Sequence, residues 1–567
     1  MGEFMNPKRS VDRPPKVSVK KRGGLRRLLA FIGPAYLVSV GYMDPGNWAT
    51  DIEGGARFGY MLIWVLLMSN IIAVLLQTLS ARLGIVTGHD LAQGCRREYP
   101  RPVTLCLWLL AEIAIAATDL AEALGTIVGL NLLFHIPLLW GCAITALDTF
   151  LFLVLQRYGV RKMEAFIVVL VATIGGCFFI EVFLARPDWG DMAAGLIPRL
   201  DPSALYIAIG IIGATVMPHN LYLHSSLVQS RAVSNTFTGK SEACRYNLLD
   251  SVVALNAAFF VNAAILVMAA ADFYARGIGV TEIQQAHQIL NGLLGDTLAP
   301  IVFAVALVAA GQSSTITGTI SGQVVMEGFL NLRMTPWLRR LVTRLVALGP
   351  AVITIAIAGN AGVYRLLVLS QVILSLQLPF AIVPLIHFTA DRRKMGPFAN
   401  SLWVTLLAWV MAAVIILLNF KLVVDEMTGW LHGGVVWPWL FVVPIVIGLS
   451  VLLVYLVVAP WIKGGQTWDS SIVSDGRHVA SRLRPLEIKR IGVAVDHAAG
   501  DSQILSAAIA FARSEKARLI LIHVVDVPAV LLLGSRSGSL HATSDETYLE
   551  ELTREAEERD LPVESML

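Results

Sequence analysis

The sequence predicts an all-α polytopic membrane protein of about twelve spans with a small α/β cytoplasmic tail. Three observations carry that expectation. Apolar residues make up 56% of the 567, and charged residues only 15% against roughly a quarter in soluble proteins. Apolar stretches long enough to cross a bilayer recur along most of the chain. After Lys463 the composition becomes that of a soluble segment. A soluble enzyme is excluded by the first observation, and no enzymatic activity is expected. The formal charge of +3, from 44 basic and 41 acidic residues, gives no reason to expect a nucleic acid partner. Five cysteines, mostly in or beside apolar runs, do not form a disulfide framework.

Residues 1–25 are a basic segment containing Lys8, Arg9, Lys20, Lys21 and Arg22. A bilayer core about 30 Å thick needs roughly 20 apolar helical residues. Twelve stretches qualify within 26–461: 26–54, 60–83, 103–130, 135–156, 162–185, 203–230, 250–272, 298–330, 340–359, 364–390, 398–420 and 435–461. The even-numbered loops carry fifteen Lys or Arg, among them Arg96, Arg97, Arg231 and Arg245, against six in the odd-numbered loops. Positive charge is retained on the cytoplasmic side, which places both termini there and the chain in the inner (plasma) membrane. A polar linker, 462–487, leads to the tail, 488–567. There the strand-like run Arg490–Asp496, a helical pattern over 502–516, a second strand Ala517–Val525 and a charged helix over 544–560 begin a doubly wound α/β domain.

Two spans are interrupted near the middle, the first by Gly41-Tyr-Met-Asp44-Pro45-Gly46-Asn47 and the sixth by Ala214-Thr-Val-Met217-Pro218-His219-Asn220. Proline lacks a backbone donor and clashes with the carbonyl four residues back, so each break frees carbonyls near Gly41 and Ala214 at mid-membrane depth. Unwound backbone survives there only where it lines a protein cavity. The breaks occupy corresponding positions five spans apart, the pattern of two repeats of five helices. Proline alone reads as a kink, but Asp44 is an ionisable residue at a depth where charge is expensive. Asp44 offers an anionic oxygen, Asn47 a neutral carbonyl oxygen and Met217 a soft thioether. A methionine in a membrane helix usually only packs; Met217 stands out because it sits at the break. Oxygens with one sulfur suit Mn²⁺, Fe²⁺ and neighbouring ions, whereas Mg²⁺ and Ca²⁺ prefer oxygen alone.

With these two motifs, Asp44-Pro-Gly-Asn-Trp-Ala-Thr-Asp51 and Met217-Pro-His-Asn-Leu-Tyr-Leu-His224-Ser-Ser, the chain resembles the Nramp family of proton-coupled divalent-metal transporters over about residues 26–460. The resemblance implies an APC-superfamily fold of two inverted repeats, with metal bound by Asp44, Asn47 and Met217 and by the carbonyls of Gly41 and Ala214. It implies that Gln371, in the tenth span, completes the shell. Magnesium-transporting relatives lack the methionine that this sequence keeps. Trp48 stands where the family usually has Phe, a change expected to be tolerated. Mn²⁺ is then cargo, with Fe²⁺ and Cd²⁺ as further cargo, protons the coupled ion, and no cofactor is expected.

Glu112, Asp119 and Glu122 in the third span are spaced by seven and three, which puts them on one helical face. Carboxylates stacked in a low-dielectric medium repel, so at least one is expected to hold a transferable proton. A structural ion-pair network is the competing explanation, with Arg344 in the ninth span as counter-charge. The resemblance implies such a polar path leading away from the metal. His219 beside the proline and His224 five residues later are candidate relays, though a histidine in a membrane helix is as often hydrogen-bonded filler. Gln77 and Gln377 are expected to be interhelical hydrogen-bonders.

Two other functions compete. An organic-solute symporter on the same fold would bind a carboxylate with backbone amides, and Asp44 at the centre disfavours it. A membrane-anchored nucleotide sensor would use the tail, whose first strand and His523-containing second strand resemble the universal stress protein family. That family binds phosphate through a Gly-rich loop after its fourth strand, and Gly534-Ser-Arg-Ser-Gly-Ser lies instead after the second, where it reads as a linker. Nucleotide binding is therefore not expected.

Overall fold

The computed structural model describes residues 17–18, 33–146, 160–185, 187–199, 201–234, 236–277, 285, 298–332, 336–432, 437–462, 488–495, 501–523, 539–558 and 562–566. The chain divides into two compact units, Met1–Ile472 and Val473–Leu567.

The first unit is helical. The first span is α1 (Pro34–Gly41) and α2 (Pro45–Phe58), separated by the three-residue turn Tyr42–Asp44. Then come α3 (Ile63–Thr87), α4 (Leu91–Glu98), α5 (Arg101–Phe134) and α6 (Val160–Ala185). The sixth span is α7 (Leu205–Val216) and α8 (Pro218–Leu227), broken at Met217 alone. It is followed by α9 (Phe237–Asp272), α10 (Leu298–Leu330), α11 (Pro336–Ala390), α12 (Leu402–His432) and α13 (Trp437–Ile462). Both breaks fall where proline follows an apolar run, as the missing donor requires. A two-residue strand, β1 (Val17–Ser18), pairs in parallel with β2 (Arg231–Ala232) just after α8.

Among the described residues, eight helical runs are long and apolar enough to cross a membrane, against twelve stretches in the sequence. Helix merging accounts for part of the difference. Pro45–Thr87 holds the second half of the first span together with the second, and Leu341–Ala390 holds the ninth and tenth. These last two are separated within α11 only by Gly359, whose φ of 57° and ψ of −142° are not helical. Of the fourth stretch only 135–146 lies within the described residues.

The eight runs differ in what surrounds them. In the most apolar 18 residues of the run through α7 and α8, 94% are buried, against 11% in the corresponding part of α13, so the broken sixth span is central and the last span peripheral. One large apolar core unites Trp48, Leu76, Leu124, Ile211, Leu307 and Ile382, from the second, third, sixth, eighth and tenth spans as well as α2. Exposed Leu402, Trp403, Leu417 and Val451 on α12 and α13 form an outward apolar face, as a lipid-facing helix requires.

In the second unit β3 (Arg490–Val495), α14 (Asp501–Glu515), β4 (Arg518–His523), α15 (Ser539–Glu557) and β5 (Val563–Met566) form a three-stranded parallel sheet in the order β3-β4-β5. The third strand, β5, is not among the elements expected from the sequence. Val493, Leu505, Leu519, Leu521 and Leu549 make its core. Residues 534–538 of the Gly-Ser segment lie outside the described residues.

The start of α1 depends on a distant residue. Gly33 occupies the cap position without a capping side chain. The Asp250 carboxylate, on α9, accepts instead from the backbone N–H of Ala35 at 3.0 Å and of Gly33 at 3.3 Å. Losing such a cap costs about 1 kcal/mol. Asp250→Ala is expected to lower stability by about that amount in denaturant titration of the detergent-solubilised protein, with Asp250→Asn milder. Equal stability of all three proteins would show that α1 needs no partner.

Candidate metal centre

The prolines determine which carbonyls are left over. In a continuous helix Gly41 O would accept from residue 45 and Ala214 O from residue 218, and both are proline. Both oxygens converge on one side chain. Asn47 Nδ2 lies 3.4 Å from Gly41 O, 3.1 Å from Ala214 O and 2.8 Å from Asp44 Oδ1. Asp44 caps α2, its Oδ1 also accepting from Asn47 N at 2.8 Å. The remaining carbonyls of the first break are satisfied one by one: Tyr42 O by Asn262 Nδ2 at 2.8 Å, Met43 O by Trp48 Nε1 at 3.2 Å and Asp44 O by Trp48 N at 3.3 Å. Trp48 thus supplies an indole donor at a position read from sequence as a tolerated aromatic change. Its ring stacks edge-on against Phe178, with centroids 4.6 Å apart.

Met217 carries the second break on a φ of 37° and is fully buried. Its side chain packs with Ala114 of α5 and Leu374 of α11, and its sulfur lies beside Gly41, where an added Cβ would stand 3.3 Å from Sδ. The same Cβ would lie 2.5 Å from Asn220 Nδ2, so glycine at 41 is what lets the two breaks meet. Gln371 lies against the first break, and a Cβ on Gly46 would collide with its amide. Its Nε2 donates to Ser370 Oγ at 2.9 Å. Asp44, Asn47, Met217, Gly41, Ala214 and Gln371 are therefore gathered around one point of the fold.

Acceptors outnumber donors there. Asp44 Oδ2, Asn220 Oδ1 and Gln371 Oε1 are buried with no hydrogen-bond partner among the described residues. A buried oxygen without a donor costs about 1–3 kcal/mol, and a cation is what such a set is short of. Asn220 was visible in the motif; its amide lies 3.5 Å from the Met217 sulfur three residues earlier and 3.4 Å from Val38 O of α1. Asp51, two turns along α2 from Asp44, is also buried with neither oxygen hydrogen-bonded.

The third-span acids divide into two groups. Asp119 and Glu122 converge on Gly318 of α10, where a Cβ would lie 3.5 Å from Asp119 Oδ1 and 3.0 Å from Glu122 Oε1. Ser314 Oγ donates to Glu122 Oε1 at 2.8 Å. Glu112, farther along, is held by Arg339, whose Nη2 lies 2.9 Å from both carboxylate oxygens, and by Trp108 Nε1 at 3.1 Å. Arg339 was not singled out in the sequence. Arg344 donates to the backbone carbonyls of Asp119 at 3.2 Å and Thr145 at 3.4 Å.

The two histidines also part. His219 lies against α5, its Nδ1 3.4 Å from Thr118 Oγ1, the residue before Asp119. His224 belongs to another network. Asn247 Nδ2 lies 3.2 Å from its Nε2, and its Nδ1 lies 3.0 Å from Gln77 Oε1. Gln77 Nε2 donates in turn to Tyr42 Oη at 2.8 Å, and Tyr42 Oη to Val216 O at 3.4 Å. Consistent donor and acceptor roles put the His224 proton on Nδ1, so this chain of bonds ties α9, α8 and α3 to both breaks. Gln77 is indeed an interhelical link.

Residues 35–425 match the family described as natural resistance-associated macrophage protein-like, Nramp. A divalent metal cation transporter MntH from Brucella suis is 54% identical over 419 residues, covering 73% of this chain and 92% of the relative. Its counterpart from Xanthomonas campestris is 57% identical over 408 residues, covering 71% and 92%. A natural resistance-associated macrophage protein 2 homolog from Dictyostelium discoideum is 50% identical over 446 residues, covering 78% and 71%. The crystal structure of a manganese transporter from Eremococcus coleocola is similar with a TM-score of 0.72 and 37% identity, covering 79% of this chain and 98% of that one. With two broken spans meeting at Asp44 and Met217, and a family match over most of its length, the chain is a multi-pass membrane protein of the Nramp family.

Proposed function

We propose that this protein is a secondary transporter that imports Mn²⁺, with Fe²⁺ and Cd²⁺ as further cargo, coupled to protons by alternating access. One observation carries the reading: buried acceptor oxygens in excess of donors, beside a thioether, where two helix breaks meet. The relatives named as divalent metal cation transporters support it. The distribution of Lys and Arg between loops assigns both termini to the cytoplasm, and the chain is assigned to the inner (plasma) membrane. An organic carboxylate would meet Asp44 and the open oxygens as like charges and dipoles, which disfavours the symporter of organic solutes.

Desolvating an ion without partners costs on the order of tens of kcal/mol. Asp44 supplies the anion that offsets this, and Gly41 O, Ala214 O and Met217 Sδ supply neutral donors. With cargo bound, the Asn47 amide turns its Oδ1 inward in place of the Nδ2 that now faces the same oxygens, and Gln371 Oε1 closes the shell. Moving the two five-span repeats about this point exposes it to either side in turn. Asp119 and Glu122 carry the proton, with His219 between them and the metal, because a dication at Asp44 repels a proton held at the same carboxylate. Glu112, neutralised by Arg339, anchors the far end of that face, and Arg344 fixes its backbone at Asp119. His224 holds the breaks in register through Gln77.

Uptake into proteoliposomes with a pH dye inside, comparing Mn²⁺, Mg²⁺ and Ca²⁺, tests the function directly, and absence of Mn²⁺ uptake with internal acidification would overturn it. Asp44→Ala is expected to reduce Mn²⁺ uptake to the level of empty vesicles; wild-type uptake by the folded variant would refute the site. Met217→Ala should keep part of the Mn²⁺ transport while admitting Ca²⁺ or Mg²⁺, since loss of a soft ligand costs soft ions most. If Ca²⁺ competes no better than before, Met217 only packs. Asp119→Asn and Glu122→Gln should each lower metal-driven acidification more than Mn²⁺ uptake, and an unchanged ratio between the two signals over acidic to mildly alkaline external pH would sink the separate proton path.

A further inference from the structure

Away from the metal centre, the last turns of α3 and the first turns of α9 leave a cleft of about 270 Å³ lined by Thr78, Arg82, Cys244, Arg245, Asn247 and Leu248. Two of the six are guanidinium groups and none is a carboxylate. Arg82 is half-buried, and its Nε is enclosed with no hydrogen-bond partner among the described residues. Arg245 is exposed. A guanidinium does not shed its charge in a protein, so the cleft is a fixed positive site short of an anion. Its rigid fork matches the oxygens of a phosphate.

Depth and surroundings narrow the class of anion. Arg82 ends the apolar stretch 60–83, and Arg245 precedes the stretch 250–272 by five residues, about 7.5 Å of helix. Both cations therefore sit at the level where lipid headgroups meet water. From the cleft toward the bilayer, α9 presents exposed Leu249, Val252 and Val253, and α3 presents exposed Ile71. The cleft thus opens onto a lipid-facing apolar surface, so an amphiphile can engage the arginines and that surface together, whereas a soluble anion engages the arginines alone. We propose that this cleft binds the phosphodiester headgroup of an anionic membrane phospholipid, with its acyl chains along α9 and α3. Basic pockets between membrane helices recognise such headgroups, and each cation near the surface strengthens binding about fivefold.

Native mass spectrometry of the full chain, titrated with phosphatidylglycerol or phosphatidylcholine, tests this, with inorganic phosphate as a third arm. Phosphatidylglycerol should be retained in preference to phosphatidylcholine. Arg245→Gln, a surface change, should weaken that retention about fivefold, and Arg82→Gln with Arg245→Gln about thirty-fold. Thermal unfolding in phosphatidylcholine alone checks that the variants fold. No preference between the lipids, equal retention by folded variants, or displacement of phosphatidylglycerol by inorganic phosphate would each overturn the proposal.

Discussion

A backbone carbonyl without a donor, in a medium without water, is the constraint on which the centre of this structure rests. Pro45 and Pro218 each remove the donor four residues on, at Gly41 and at Ala214; Asp44 N reaches Gly41 O only at 3.4 Å, and the bilayer offers nothing to repair the loss. Protein has to supply the partner, and one amide supplies it to both: Asn47 Nδ2 reaches the two oxygens across the interface between α2 and α7. That bond fixes the spacing of the two broken spans. Asn262, Trp48 and the Tyr42–Gln77 pair satisfy the remainder of the first turn, so the α1–α2 turn is unwound without being slack. A helix end accounted for atom by atom in this way holds ligand oxygens in place before any ligand arrives.

Charge is divided along the same lines. The proposed metal centre contains one acid, Asp44, among neutral oxygens and a sulfur, while the acids facing Gly318 lie on α5 and the Glu112–Arg339 pair lies farther along that helix. Breaking a buried pair by removing one partner costs several kcal/mol, so Glu112 and Arg339 form a fixed element rather than a mobile one. Asp119 and Glu122 both approach Gly318, where a side chain would crowd their carboxylates. Steric room, supplied by glycine at 41, 46 and 318, is thus as much a part of the site as the ligands.

What could be read from the sequence was whatever follows from arithmetic along one chain. The i−4 rule identifies Gly41 and Ala214 from the prolines alone, and helical spacing places Asp119 and Glu122 on one face. What could not be read depends on which helices touch. Nothing in the sequence marks Arg339, just before the ninth stretch, rather than Arg344 within it as the partner of Glu112 until α11 is laid beside α5. His224 looks like a relay by its distance from Pro218, yet its ring is taken up by Gln77 and Asn247 from two other spans. Asp250 caps a helix more than two hundred residues away, a relation with no local signature. The strand β5 was missed for a related reason: Val563–Met566 is short and becomes a strand only by pairing with β4.

Met217 shows how far the site overrides local preference. A φ of 37° is a conformation that glycine adopts freely and a side-chain-bearing residue adopts at a cost of about 1–3 kcal/mol. Glycine there would relieve the strain, but it would also remove the one soft donor and empty the space between Ala114 and Leu374. Methionine is unbranched, so its sulfur can reach Gly41 from a backbone that a β-branched residue would not tolerate. Where a strained residue also fills the space between two neighbouring helices and lies against the other break, the strain is maintained by the packing around it. The two breaks are therefore held differently: α7 and α8 meet through this one packed residue, whereas the three-residue turn between α1 and α2 is held by the hydrogen bonds of Asn262 and Trp48 to its carbonyls.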